Sequence, residues 1–153
     1  MKPTRLKLAT FNNRKKQLKV TYTSQKVITV PYGLLGITAN IKNVWIDDET
    51  RGKSIGIRYE NGLIDYMPYD QPLHTSKDPD FLLQTHIELL IAQIKHKLQK
   101  QHISKRYLAE QLHTSDNQVQ RLLNPSILNK NLNQLYTMAI LLEFEPYFYL
   151  KAA

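Results

Sequence analysis

The chain contains no cysteine, so disulfides and thiolate metal sites are excluded. Glycine is scarce at five residues, and none stands at the spacing of a phosphate-cradling loop. Acid is in short supply: 13 Asp and Glu face 21 Lys and Arg, a formal charge of +8 that suits a polyanionic partner. No stretch approaches the ~20 apolar residues that span a bilayer. The opening MKPTRLKLATFNNRKK holds no apolar run of signal-peptide length, so a cytoplasmic protein with no membrane partner is expected. What is present suffices for a folded core, with 42% hydrophobic and 9% aromatic residues, and 153 residues suit one domain or two small ones.

Texture changes near His74-Thr75-Ser76-Lys77. Upstream, Leu6–Leu8, Leu18–Tyr22, Val27–Val30, Val44–Ile46, Ile55–Tyr59 and Leu63–Tyr66 are short β-rich runs, several alternating apolar with polar residues as a half-buried sheet does. Asn61-Gly62 between two of them predicts a type I′ hairpin, which needs φ > 0 at both central residues, and Asn12-Asn13 and Thr23-Ser24 mark further turns. No internal repeat, low-complexity tract or flexible linker stands out.

Downstream, Asp78-Pro79 predicts a helix start, with the acid as N-cap and proline where its missing N–H is harmless. The helix is expected to reach Gln101, with Leu83, Ile87, Leu90, Ile91, Ile94 and Leu98 on one face.

Residues 104–124, SKRYLAEQLHTSDNQVQRLLN, carry the most specific pattern. Leu108, Ala109 and Leu112, then Val119, Leu122 and Leu123, give two short helical faces separated by the polar His113-Thr114-Ser115. Where two helices cross closely the first must offer a small side chain, and Ala109 does so. Ser104 is an expected N-cap, and Ser115 with Gln118 has capping-box spacing. Pro125 stops the second helix, with Asn124 as an expected left-handed cap.

This segment resembles the helix-turn-helix of the lambda-repressor-like family, also called the XRE or Cro/C1 type, and the resemblance extends from about Ile87 to Phe144. It implies a preceding helix packed through Leu89, Ile94 and Leu98, a following one through Leu132, Leu135, Ala139 and Leu142, and a motif core of Leu108, Ala109, Leu112, Val119 and Leu122. His113 departs from it, standing where such motifs carry glycine because the backbone turns through φ > 0. The N-terminal half, through FNNRKKQLKV, Val30-Pro31-Tyr32, YENGLIDY and Asp78-Pro79-Asp80, resembles an uncharacterised β-rich domain that precedes such modules in bacterial proteins. Dimerisation, ligand sensing and partner binding are its three candidate roles. The expected fold class is therefore α+β: a small β-rich domain at 1–76, then an all-α lambda-repressor-like helix-turn-helix domain at 77–153.

The resemblance implies a bacterial transcriptional regulator that binds double-stranded DNA as a homodimer, with the second helix in the major groove. With Val119 and Leu122 inward, Ser115, Asp116, Asn117, Gln118, Gln120 and Arg121 are the candidates for base reading. Asn117 or Gln118 suits adenine, Arg121 guanine and Asp116 cytosine N4, while Asp116 also suits simple helix capping. Lys105, Arg106 and Lys130 are the candidates for phosphate contacts. The other reading is a protein-interaction module, such as an antitoxin that neutralises a partner protein.

Charge is not concentrated in the motif half: residues 1–79 carry a net +6 and 80–153 a net +2. Arg14-Lys15-Lys16 with Lys19 is the densest basic run, read either as an auxiliary nucleic-acid contact or as a solvated turn guarding a sheet edge. Nothing points to an enzyme, a metal or a cofactor. His74, His86, His96, His102 and His113 lack metal-ligand spacing, Asp47-Asp48-Glu49 reads as a solvated loop, and no serine sits in a nucleophile elbow. The late aromatics Phe144, Tyr147, Phe148 and Tyr149 are expected to close a core or a dimer interface.

Overall fold

A computed structural model describes residues 5–147 and 149–152; Phe148 lies outside them. The chain divides into two compact units, Met1–Leu82 and Leu83–Ala153.

In the first unit, β1 (Leu6–Asn12), β2 (Gln17–Tyr22) and β3 (Val27–Pro31) form one antiparallel sheet in the order β1-β2-β3. A 3-10 turn, Tyr32–Leu35, follows. A second sheet, β4-β5-β6, is built from β4 (Ile41–Ile46), β5 (Ser54–Tyr59) and β6 (Ile64–Pro68), and leads into α1 (Gln71–Thr75). Alternation decides the inner faces: Leu18, Val20 and Tyr22 from β2 and Ile55 and Ile57 from β5 lie in one core with Leu73 and Phe81. Asn13 joins the two sheets, its Nδ2 donating to the Ile41 carbonyl at 2.8 Å and its Oδ1 accepting the Ile41 N–H at 2.9 Å.

The two sheets repeat one another, which the sequence reading did not detect. In each, the register shifts once near the start of the first strand, between Leu6 and Leu8 and between Ile41 and Asn43. Each middle strand ends in a tyrosine, Tyr22 and Tyr59, whose carbonyl accepts from Gln25 or Gly62 and whose N–H donates to the carbonyl of Lys26 or Leu63. Each third strand closes on Pro-Tyr, Pro31-Tyr32 and Pro68-Tyr69. The repeat is carried by hydrogen-bond pattern and by a few residues, because outward positions are free to vary.

The Asn61-Gly62 hairpin forms, but not with a type I′ turn. Gly62 has φ +87° while Asn61 keeps a negative φ, so a tight turn over Tyr59–Gly62 is followed by one left-handed residue. Asn61 instead uses its Oδ1 to accept the Leu63 N–H at 3.1 Å.

The second unit holds most of α2 (Pro79–Lys100), then α3 (Lys105–Gln111), α4 (Asp116–Leu122) and α5 (Leu132–Leu141). Ile87, Ile91, Ile94 and Leu98 meet Leu108, Val119, Leu122, Leu135, Met138 and Leu142 in a separate core. Three residues expected on inner faces lie outside: Leu83, Leu89 and Leu132 are 47%, 64% and 58% exposed.

The expected fold class requires correction. Among the described residues the chain is α+β with two three-stranded antiparallel sheets and five α-helices, not a small β-rich domain followed by an all-α lambda-repressor-like domain. The first unit is the longer one and carries helical segments of its own. Its limit falls inside α2, because Phe81 packs in the first core and Asp78, itself buried, accepts the Phe81 N–H at 2.9 Å and pairs with Lys26. The opening turn of α2 therefore belongs with the strands. Among the described residues no helix is long and apolar enough to cross a membrane.

Four helices end in one way. The residue after the C-cap has positive φ, and the next N–H donates five residues back: Lys77 (+53°) with Asp78→Leu73, His102 (+55°) with Ile103→Leu98, His113 (+50°) with Thr114→Ala109, and Glu143 (+62°) with Phe144→Ala139. These are Schellman closures without glycine.

Candidate nucleic-acid interface

The motif is assembled by its caps. Ser104 Oγ accepts the Tyr107 N–H at 3.1 Å to start α3, and Ser115 Oγ accepts the Gln118 N–H at 3.2 Å to start α4. Between them the left-handed His113 reverses the chain. Leu108, Val119 and Leu122 are buried, Ala109 is 4% exposed at the crossing, and Leu112 is partly buried beside them.

This packing leaves Ser115, Asp116, Asn117, Gln120 and Arg121 exposed on α4 and its cap, the face that the sequence reading proposed. Gln118 is half-buried, and its Nε2 donates to Gln134 Oε1 at 2.9 Å, which fastens α4 to the first turn of α5. That side chain positions the helix. Gln134 is missing from the sequence reading, although Asn131, whose Oδ1 accepts the Gln134 N–H at 3.1 Å, stands at the same cap spacing as Ser115 and Gln118.

The three cations differ. Lys105 and Arg106 are exposed on the first turn of α3, and Arg106 lies 3.5 Å from Glu110 on the same helix, an ion pair of little worth in water. Lys130 is half-buried and its Nζ donates to the carbonyls of Arg121, Leu122 and Asn124 at 2.8, 2.8 and 2.6 Å. Asn124 keeps a negative φ, so the expected left-handed cap is replaced by the lysine ammonium, whose three protons meet carbonyls at the negative end of α4. Burial lowers the pKa of Lys130 from its ordinary value, and the positive charges of Lys95 and Arg121 lower it further. Gln118, Arg121, Asn129, Lys130 and Asn131 border a polar hollow of about 280 Å³ against α4.

Elsewhere in the unit, Leu89, Leu90, Tyr136, Phe144 and Tyr147 are among the residues bordering a hollow of about 290 Å³ that has no Lys or Arg in its lining. Phe144 packs on the helical core, as expected of the late aromatics, whereas Tyr147 and Tyr149 are exposed. Among the described residues no three His, Asp or Glu side chains gather as a metal site would require.

No known protein family, no curated protein and no solved structure matches the chain.

Proposed function

We propose that the α3–turn–α4 element binds double-stranded DNA in a sequence-specific manner, with α4 in the major groove, and that the protein acts in the cytoplasm as a homodimeric transcriptional regulator. The observation that carries this reading is the pairing of two Ser-capped helices, crossed at Ala109, with an outward α4 face of Asp116, Asn117, Gln120 and Arg121. Those side chains can donate to and accept from base edges at the N-terminal half of a groove-inserted helix. Lys105 and Arg106 serve phosphates, which set register without reading sequence. Lys130 is assigned to holding α4.

The test compares two exposed positions. Arg121→Ala should weaken binding to a selected site by about 1–3 kcal/mol and relax preference at one base pair, whereas Lys105→Ala should weaken all sequences alike. Equal losses on selected and random DNA for both variants would remove the assignment of Arg121.

The second reading, a protein-interaction module such as an antitoxin, is favoured by the mainly apolar hollow beside Leu89, Tyr136 and Tyr147, which no Lys or Arg lines. Co-purification of a small stoichiometric protein, lost on Leu89→Lys, would support it over the first.

A further inference from the structure

The two sheets of the first unit share an architecture but not a charge. Residues 5–40 contain Arg5, Lys7, Arg14, Lys15, Lys16, Lys19 and Lys26 and no acid at all. Residues 41–70 contain Lys42, Arg51, Lys53 and Arg58 against Asp47, Asp48, Glu49, Glu60, Asp65 and Asp70. One repeat is thus strongly basic and the other slightly acidic, so the charge is not a demand of the fold.

The register shows what the outer face of the first sheet offers. Its cross-strand rows are Leu8–Thr21–Val27, Thr10–Lys19–Thr29 and Asn12–Gln17–Pro31, with Lys19 at the centre among hydroxyl and amide side chains. Arg14, Lys15 and Lys16 ride on the turn at one end, where the Lys15 N–H is held by Asn12 Oδ1 at 2.9 Å, and Arg5 and Lys7 stand toward the other. Among the described residues Lys26 is the base of this segment that meets carboxylates, through Asp78 and Asp80. The matching row of the second sheet is Trp45–Gly56–Tyr66, a different surface on the same frame.

We propose that the outer face of the β1-β2-β3 sheet, with its β1–β2 turn, is a second nucleic-acid surface that contacts the phosphate backbone of duplex DNA without reading sequence. Phosphate oxygens are met in such complexes by Arg and Lys together with Thr, Asn and Gln side chains, the set that this face presents, and an acid-free surface puts no repulsive charge against them. A backbone contact also accounts for four cations crowded into residues 14–19, whose mutual repulsion a polyanion relieves.

The test uses the full chain and a random-sequence duplex as probe, with affinity measured across a salt series. Arg14→Gln/Lys15→Gln/Lys19→Gln is compared with Lys42→Gln/Arg51→Gln/Lys53→Gln, which removes the same charge from exposed positions of the second repeat. Each is also placed in the Asn117→Ala/Arg121→Ala background, and circular dichroism reports folding. The first triple variant should flatten the log–log salt slope by about 0.9 per lost phosphate contact, a fall of about 2–3, and should do so in both backgrounds, while the second leaves the slope unchanged. Equal effects of the two triple variants, or none from the first, would overturn the inference, as would an unchanged effect on single-stranded DNA of the same length. Because the double-alanine background is scored separately, failure of the α4 reading is seen independently of failure here.

Discussion

Lys130 donates from its Nζ to the main-chain carbonyl of Arg121 at 2.8 Å, so the two cations nearest the end of α4 have different work. One closes the helix and the other leaves its guanidinium in solvent. Lys130→Met should therefore cost about 1–3 kcal/mol of stability, since it strips a charged donor from three carbonyls. Lys105→Ala should leave stability within about 0.5 kcal/mol. Denaturant titration of the two variants checks this, and equal midpoints would show that Lys130 holds nothing.

His113→Gly should raise stability by about 0.5–1 kcal/mol. A side chain in the left-handed region is strained by contact with its own backbone, and glycine removes that strain at some cost in unfolded-state entropy. The same sign is expected at Lys77, His102 and Glu143, where the closure is alike. A fall in melting temperature at all four positions would contradict the argument.

Gly56→Ala should destabilise by about 2 kcal/mol or more. A Cβ there would lie 2.1 Å from Trp45 Cε2, so the indole must leave the sheet, giving up its edge-on contact with Tyr66 at 6.1 Å and its place beneath Arg58. Trp45 is the single tryptophan, so its emission should shift to the red as it enters water. An unchanged spectrum would mean that the ring is not seated on Gly56.

Alkali should separate the tyrosines. Burial raises the pKa of Tyr22, with Asp70, Asp78 and the neighbouring Tyr69 adding to it, and burial likewise raises Tyr32 and Tyr59. The hydroxyl of Tyr22 donates to the Tyr69 carbonyl at 2.6 Å, a bond that its ionised form cannot make. Because the folded-state pKa lies above the unfolded value, this contribution is complete below about pH 10 and is lost as pH rises beyond it. Absorbance titration should show a class of tyrosines that ionises only on unfolding, and Tyr22→Phe should shrink that class. Uniform titration of all tyrosines without unfolding would contradict it.

Sequence alone was most informative where a local rule operates. Ser104, Ser115 and Asp78 cap helices because a short oxygen side chain before an apolar period has few other uses, and Ala109 is a small residue buried in the helical core, as close helix crossing favours. Longer-range partners were hidden. Nothing local says that Lys130 will reach back to Arg121, or that Gln118 will turn from solvent to Gln134. The β repeat was hidden as well, since Tyr22–Tyr32 and Tyr59–Tyr69 share a tyrosine, a turn and a Pro-Tyr close while their outward residues differ in chemistry and charge. Phe81 explains the displaced boundary: helical spacing identifies a helix, but not which core its first turn joins.

The central claim is that α4 reads duplex DNA, and selection from a random duplex pool tests it most directly. The wild-type chain and the Asn117→Ala/Arg121→Ala variant would be run at two salt concentrations, with enriched sequences compared. Recovery of a two-fold symmetric site by the wild type and its loss in the variant is the predicted result. Enrichment of nothing by a folded wild-type chain, or of the same site by both proteins, would contradict it.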